Sequence, residues 1–225
     1  MPNGTWIVVP AFNEANVIAD VVADVRVRHP EVVVVDDCSE DGTGLAAMAA
    51  GAVVLRHPVN LGQGAALQTG IRYALEQGAD YIVTFDSDGQ HRAQDIDVLL
   101  ARQRETGADV VIGSRFLGSA VGLPPLRRLM LKAATLFTRL STGIPVSDAH
   151  NGLRLFTRRA AKEMRIRQNR MAHASEIIDQ LGALKLKVAE APVTIVYTEY
   201  SLRKGQKLSN SISILVELIV ARLSR

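Results

Sequence analysis

The chain has 225 residues, of which 48% are hydrophobic and 22% charged, so it is large enough to bury a sizeable core. A single cysteine, Cys38, excludes an internal disulfide framework and a cysteine-based zinc cluster, and favours a reducing compartment. We find no signal-peptide pattern at the start and no apolar run of the roughly 20 residues that span a bilayer, so we expect a cytoplasmic protein, soluble or peripheral to a membrane.

The net charge of +3 conceals two parts of opposite sign. Residues 1–101 carry 5 basic and 14 acidic side chains, a net charge of −9, whereas residues 102–225 carry 21 and 9, a net charge of +12. The basic part predicts an anionic partner such as phosphate groups, lipid headgroups or nucleic acid. A basic surface that only meets solvent is the alternative.

The first 115 residues alternate between short apolar runs typical of buried strands and segments with helical periodicity. The predicted strands cover residues 5–10, 31–36, 52–56, 81–86 and 109–113. The predicted helices cover residues 14–28, a segment from about Gly44, residues 62–77 and residues 93–104. This alternation predicts an α/β fold with a mostly parallel sheet and helices on both faces.

The remaining residues are less regular. We predict an amphipathic basic helix, a short strand, a polar loop, a helix and a strand, at residues 124–142, 153–156, 165–174, 175–184 and 188–197. Residues 209–223 are apolar on most of a helical surface. No repeat or linker interrupts the chain, so we expect a single domain over residues 1–225.

Polar side chains follow several predicted strands, and in parallel sheets the carboxyl ends of strands gather ligands. Asp86 and Asp88 come directly after the fourth strand, and alternate residues of extended backbone point the same way. Carboxylate oxygens suit Mg²⁺ or Mn²⁺, and Gln90 is a further candidate ligand. A bare Asp-x-Asp is also common in turns, which is the alternative.

The side chains that follow the first two strands also allow two interpretations, contact with a ligand or capping of the next helix. Phe12 is placed to contact a base, Glu14 to accept a hydrogen bond from a nucleoside, and Asp37 to bind a base edge or a ribose hydroxyl. Each carboxylate could instead cap the helix that follows. The run of residues 60–66, Asn-Leu-Gly-Gln-Gly-Ala-Ala, lacks the Gly-Lys-Ser/Thr ending of a phosphate loop.

Several motifs in order carry a resemblance to a known family. They are Val-Pro-Ala-Phe-Asn-Glu at 9–14, Val-Asp-Asp-Cys-Ser-Glu-Asp-Gly-Thr at 35–43, Phe-Asp-Ser-Asp-Gly-Gln-His at 85–91 and Gly-Ser-Arg-Phe at 113–116, together with residues 60–66. The chain resembles the family 2 glycosyltransferases of the GT-A fold, and most closely the polyprenol-phosphate mannosyl- and glucosyltransferase branch. The likeness continues more loosely through residues 147–156 and 203–208 and so covers almost the whole chain.

The resemblance implies roles for matching positions. A nucleoside pocket would be lined by Pro10, Phe12, Glu14, Val35 and Asp37. Asp86, Ser87 and Asp88 would hold Mg²⁺ or Mn²⁺ and the sugar phosphate, with Gln90 near the metal. Arg115, Arg203 and Lys207 would face phosphate groups of the donor or acceptor. Residues 1–115 would then bind the nucleotide-sugar and metal, and residues 116–225 the acceptor near a membrane.

The implied reaction is an inverting, metal-dependent transfer of a hexose from GDP-mannose or UDP-glucose to a polyprenyl phosphate. A hydroxyl acceptor in cell-envelope polysaccharide or glycolipid synthesis is the alternative, and it would need a base, for which Asp148 and Glu176 are the candidates. Asp148 as a plain turn residue is equally compatible with the sequence.

The basic segment 124–142 and the apolar segment 209–223 predict contact with a membrane surface; packing within the domain or against a second subunit in a homodimer is the alternative. Three other functions are less compatible with the sequence. A sugar-1-phosphate nucleotidyltransferase would need a Gly-rich loop after the first strand, where Pro-Ala-Phe-Asn-Glu stands. A nucleic-acid partner is not expected, because aromatic residues make up only 4%. A non-catalytic binding protein would not need the intact Asp86 and Asp88 pair.

Overall fold

The computed structural model describes residues 4–170 and 172–198. Its strands are β1 (Thr5–Ala11), β2 (Val32–Asp36), β3 (Val53–Arg56), β4 (Tyr81–Thr84), β5 (Val110–Val121), β6 (Arg154–Thr157) and β7 (Val188–Val196). Its helices are α1 (Ile18–Arg26), α2 (Thr43–Ala49), α3 (Gln63–Glu76), α4 (Gln94–Thr106), α5 (Pro125–Thr142), α6 (Arg158–Glu163) and α7 (His173–Ala183).

The described strands form one sheet in the order β3-β2-β1-β4-β6-β5-β7. Strands β1 to β4 are parallel, and β5 pairs with β7 in parallel. Strand β6 runs antiparallel to both of its neighbours, β4 and β5. The predicted mostly parallel sheet is therefore confirmed, and the carboxyl ends of β1, β2, β4 and β5 lie along one edge.

Two hydrophobic cores cover the two faces of the sheet. Alternate residues of a strand point to opposite faces, so Ile7 and Val9 pack with α1 and α4, whereas Trp6 and Val8 pack with α3 and α7. All residues of β1 are buried, as expected for a strand covered by helices on both sides. The predicted arrangement of helices on both faces is thus also confirmed.

Several elements differ from the sequence prediction: α1 begins at Ile18 instead of residue 14, and β4 ends at Thr84 instead of residue 86. Helix α6 was not predicted, because a helix of six residues is too short to show apolar periodicity. Strand β5 continues to Val121 instead of ending at residue 113, because its pairing with β7 resumes after a bulge between Ser114 and Ser119. The predicted helix at 209–223 lies outside the described residues, as do Arg203 and Lys207.

Candidate active site

Asp86 and Asp88 lie at the carboxyl edge of the sheet, in the turn that follows β4. Burial and the negative charge of Asp86 raise the pKa of Asp88 to about 6. The backbone N–H of Gln90 donates a hydrogen bond of 3.1 Å to Oδ1 of Asp88. The backbone here is a turn rather than extended strand, yet the two carboxylates are close enough to repel each other. A divalent cation relieves this kind of repulsion.

Neighbouring side chains fix the orientation of Asp86. Nε2 of His91 lies 3.0 Å from its Oδ2, and the amide of Gln63 donates to its Oδ1 over 3.2 Å. Burial acts to raise the pKa of Asp86, but the hydrogen bond with His91 and nearby positive charges outweigh burial and lower it. A Cβ atom at Gly152 would lie only 2.1 Å from Oδ2, so a side chain at this position would have to displace the Asp86 carboxylate.

No group of three or more His, Cys, Asp or Glu side chains that could hold a metal ion occurs within residues 4–170 and 172–198. Asp86 and Asp88 together offer two carboxylates. Mg²⁺ is commonly held by one or two carboxylates, with substrate phosphates and water completing its coordination. The donor set therefore fits a cation shared with a phosphorylated substrate.

The residues predicted to line a nucleoside pocket lie at the same edge. Pro10 and Val35 are paired neighbours in β1 and β2 and are buried, as is Ser87 beyond β4. Phe12 follows β1 and is 44% exposed. The side chain of Glu14 is buried nearby, and its backbone N–H donates to Oγ1 of Thr43 over 2.7 Å. Their contact with a nucleoside stays a prediction.

Asp37 has a visible structural role. Its carboxylate accepts hydrogen bonds from the backbone N–H groups of Leu61 (2.9 Å) and Gly62 (2.7 Å), and Nδ1 of His57 lies 2.7 Å from Oδ1. These bonds join the end of β2 to the loop that enters α3, next to Gln63. Asp37 thereby helps to position the amide that contacts Asp86, and a nucleoside contact by its carboxylate stays a prediction.

Arg115 and Asp148 form a buried ion pair. Nε of Arg115 donates to Oδ2 of Asp148 over 2.6 Å, and the backbone N–H of Arg115 donates to the same oxygen over 3.0 Å. Nη1 of Arg115 donates to the hydroxyl of Tyr197 over 2.5 Å. Burial alone would lower the pKa of Arg115, but Asp148 and Tyr197 raise it, so the guanidinium stays charged. The structure thus brings together two residues that the sequence analysis considered separately.

Glu176, the other candidate base, is engaged elsewhere. Its carboxylate accepts hydrogen bonds from the backbone N–H groups of Arg167 and Gln168, the latter over 2.8 Å. This loop continues to Asn169, whose carbonyl accepts from the backbone N–H of Gly64 over 2.8 Å. Glu176 therefore shapes the loop beside the start of α3, and its role as a base stays a prediction.

Arg154 is a residue of the site to which the sequence analysis gave no role. Its side chain is buried, and its Nη2 donates to the carbonyl of Ala149 over 2.8 Å. Burial lowers the pKa of Arg154 to about 10, while the charges of Asp86 and Asp148 act in the opposite direction. A buried arginine so placed stabilises both carboxylates. Its position within the motif at 147–156 was the available signal.

A mostly parallel sheet with helices on both faces is the architecture of the GT-A fold of glycosyltransferases. Comparison with known proteins places the chain more narrowly. It belongs to glycosyl transferase family 2, whose family model matches residues 6–165.

The relatives and solved structures agree with this assignment. The chain is 32% identical to an undecaprenyl-phosphate mannosyltransferase of Micrococcus luteus, over 85% of this chain and 83% of that protein. It is 28% identical to a UDP-N-acetylglucosamine–dolichyl-phosphate N-acetylglucosaminyltransferase of Methanococcus voltae, over 98% and 96%. The glucosyl-3-phosphoglycerate synthase of Mycobacterium tuberculosis, solved with Mn²⁺ and UDP-glucose, superimposes with a TM-score of 0.77 at 20% identity, over 99% and 79%. The protein is a hexosyltransferase with polyprenol-phosphate sugar transferases among its relatives.

Proposed function

We propose that the protein transfers a hexose from a nucleotide-sugar to a polyprenyl phosphate, with inversion at the anomeric carbon. The observation that carries this proposal is the repelling carboxylate pair, Asp86 and Asp88, at the carboxyl edge of the sheet. The names of two relatives, which specify undecaprenyl phosphate and dolichyl phosphate, support a lipid-phosphate acceptor. GDP-mannose and UDP-glucose are the first donors to test, and the relative from M. voltae adds UDP-N-acetylglucosamine.

In this proposal Asp86 and Asp88 hold Mg²⁺ or Mn²⁺, with Gln90 close to the metal. The bound cation supplies charge stabilisation for the nucleoside-diphosphate leaving group. His91 and Gln63 keep the Asp86 carboxylate in one orientation. The nucleoside lies against Phe12 and Glu14, which follow β1.

Arg115 binds phosphate in the proposed reaction. A guanidinium has five N–H donors, and among residues 4–170 and 172–198 the contacts with Asp148 and Tyr197 use two of them, which leaves three for phosphate oxygens. An acceptor phosphate is already an anion and needs no strong base, whereas a hydroxyl acceptor would have to lose its proton. The pairing of Asp148 with Arg115 supports the phosphate acceptor. Arg203 and Lys207 are proposed as further phosphate contacts.

The test is transfer of radiolabelled sugar from each donor to polyprenyl phosphate and, in parallel, to the matching free polyprenol. We expect transfer to the phosphate only, its loss in EDTA, and recovery with Mn²⁺ or Mg²⁺. An Asp97→Asn variant, which alters an exposed carboxylate in α4, should behave as the wild type. Transfer to the alcohol instead would favour the hydroxyl-acceptor alternative, and full activity in EDTA would remove the metal.

The exposed side of α5 supports a membrane location for this reaction. Thr135 and Thr138 of this helix are buried, whereas four leucines are exposed: Leu126, Leu129, Leu136 and Leu140. At 100° per residue the leucines fall within an arc of about 80°. Beside this leucine stripe lies a stripe of three exposed basic residues: Arg128, Lys132 and Arg139. Within the described ranges, none of the helices has the length and apolarity to span a bilayer.

We propose that the two stripes of α5 lie on anionic lipid at the cytoplasmic face of the membrane, since leucines can enter the interface while basic residues meet the headgroups. Flotation with liposomes that contain anionic lipid, at low and high salt, tests this. A Leu136→Ser/Leu140→Ser variant should lose flotation, and Leu45→Ser, an exposed leucine of α2, should keep it. If the double variant instead converts a homodimer to a monomer and still floats, the leucine stripe is a subunit interface.

A further inference from the structure

Strand β7 and the residue after it contact both members of the Arg115–Asp148 pair. Oε1 of Glu190, in β7, accepts hydrogen bonds from the backbone N–H of Ser147 (2.8 Å) and of Asp148 (3.2 Å), and from the Ser147 hydroxyl (2.8 Å). The hydroxyl of Tyr197 accepts from Nη1 of Arg115. One segment near the end of the described chain therefore holds the loop that carries Asp148 and the guanidinium that binds it.

The bulge between β5 and β7 explains why Arg115 needs this support. Ser114 pairs with Pro192, which has no N–H, and regular pairing resumes only at Ser119. Gly118 fits here because a Cβ atom would lie 2.2 Å from the Val193 carbonyl oxygen. A bulge redirects side chains but leaves them without regular neighbours in the ladder. Arg115 is the first residue beyond the last regular pair.

The chemistry of the ion pair makes its position sensitive. Two buried charges are stable only when hydrogen bonds satisfy them, and Oδ1 of Asp148 is buried with no partner among the described residues. The ring of Tyr197 is itself fixed, since the Arg127 guanidinium of α5 stacks over it at 5.3 Å and its backbone N–H donates to Val121. Tyr197 thus gives Arg115 a rigid partner on the side away from Asp148.

We propose that Tyr197 and Glu190 are positioning residues that clamp the Arg115–Asp148 pair, so that the remaining N–H donors of Arg115 meet the substrate phosphate in one fixed direction. This inference rests on the proposed function for its effect on catalysis. The clamp itself is a property of the protein without substrate, so it is measured separately.

The first measurement compares Tyr197→Phe with Tyr73→Phe, which alters a tyrosine packed edge-on against Trp6. We expect Tyr197→Phe to lower kcat about 10-fold, with less than a twofold change in KM for the nucleotide-sugar, because misplacement of a group near the reacting atoms affects the transition state most. Tyr73→Phe should match the wild type. An unchanged kcat in Tyr197→Phe would overturn the proposal.

The second measurement separates hydrogen bonding from charge at Glu190. Glu190→Gln keeps an acceptor oxygen for Ser147 and Asp148 and should retain kcat within about twofold, whereas Glu190→Ala should lose about 10-fold. Equal losses in both variants would contradict a role as hydrogen-bond acceptor. Melting temperatures of all variants identify any general loss of folding.

A third measurement does not depend on turnover. Proton exchange of the Arg115 Nε–H, followed by NMR and assigned with an Arg115→Lys variant, should be slow in the wild type and clearly faster in Tyr197→Phe. If the wild type transfers sugar to no acceptor, the proposed function fails while this result still decides the clamp. Unchanged exchange in Tyr197→Phe would rule the clamp out.

Discussion

The candidate site has two parts along the carboxyl edge of the sheet: an acidic side beyond β4, with Asp86 and Asp88, and a basic side at β5, with Arg115. The two sides assemble their functional residues in different ways. Around β4 most of the contacts are local, since Asp88 pairs with a group two residues away and Asp86 with His91 five residues away, although Gln63 also reaches Asp86 across 23 residues. Around β5 they are distant, because Arg115 meets Asp148 after 33 residues and Tyr197 after 82. The acidic side of the site can therefore be recognised from sequence motifs, whereas the basic side forms only when β6 and β7 have joined the sheet.

The largest expected effect is on the acidic side, with Asp88→Asn. Transfer should fall by at least about 100-fold, because one of the two carboxylates proposed to hold the cation is lost, and the cation would stabilise the leaving-group charge. Stability should change in the opposite direction. The pKa of Asp88 is raised to about 6 in the folded protein, so its ionised form destabilises the protein at pH 7, and removing it should add roughly 1–3 kcal/mol to the free energy of unfolding.

Activity assays and urea unfolding without metal check both effects, and Asp97→Asn serves as the exposed control. A variant that is inactive and also less stable would show that Asp88 serves the fold rather than a ligand site.

Gly152→Ala is expected to have the next largest effect, because Gly152 lies between Asp148 and β6 in the chain and packs against the carboxylate of Asp86. The new methyl group would fall on the carboxylate of Asp86 and displace it, and activity should fall about 10- to 100-fold. The control is Gly182→Ala in α7, where the nearest atom to a new Cβ is 3.5 Å away, an ordinary contact. Similar activity in both variants would mean that Asp86 tolerates movement. Binding titrations of the variant with Mn²⁺ and with a nucleoside diphosphate would show whether metal binding or nucleotide binding is lost.

The two buried histidines and Asp88 should respond to acid with opposite sign. Burial lowers the pKa of His150, near Asp148, and the pKa of His173, near Asp86, to about 4, so the unfolded chain binds protons first and stability falls as the pH drops from about 6.5 to about 4. The loss should approach roughly 2–3 kcal/mol for each histidine. Asp88, in contrast, takes up its proton first in the folded state, so its titration adds to the stability of the protein as the pH falls from about 6 to about 4.

Urea unfolding of the wild type, Asp88→Asn and His150→Gln/His173→Gln from pH 7 to pH 4 separates the two trends. The histidine variant should lose less stability than the wild type on acidification, and Asp88→Asn should lose more. The reverse order would contradict the assigned directions.

The smallest effect is expected at the surface of α5. Leu140 is 80% exposed, so Leu140→Ser should change the free energy of unfolding by less than about 0.5 kcal/mol. Chemical denaturation of the variant without lipid gives this value directly. A larger loss would mean that Leu140 packs against another part of the chain. Leu140→Ser would then not be a valid test of membrane binding.

Much of the fold was predictable because its signals are local. Apolar runs marked the strands, and helical periodicity marked α1, α3 and α4, with boundaries close to those observed for α3 and α4. The direction of β6 was not predictable, since a strand of four residues reads the same in either orientation. Helix α6 left one signal, the Thr157 side chain that accepts from the N–H of Ala160, and a single cap residue is weak without periodicity.

The site was predictable to the extent that strand topology determines it. Parallel strands bring their carboxyl ends together, so residues after β1, β2 and β4 were expected at one edge. The roles of Gln63 and Tyr197 were not, because each depends on one distance across a folded loop or a bulge. Glu176 shows the limit most clearly: the sequence identified an acidic residue as a candidate base, but it could not show that its oxygens accept from a nearby backbone loop.

The place of β6 has a consequence for how the chain must fold. In the sheet it stands between β4 and β5, although β5 is made first. During synthesis one edge of β4 therefore stays unpaired until some 70 further residues have been made, because its antiparallel neighbour β6 comes after them. An unpaired strand edge such as that of β4 promotes wrong pairing, and closing such long loops is slow. Truncation before β6 should therefore give an aggregating fragment rather than a smaller working enzyme.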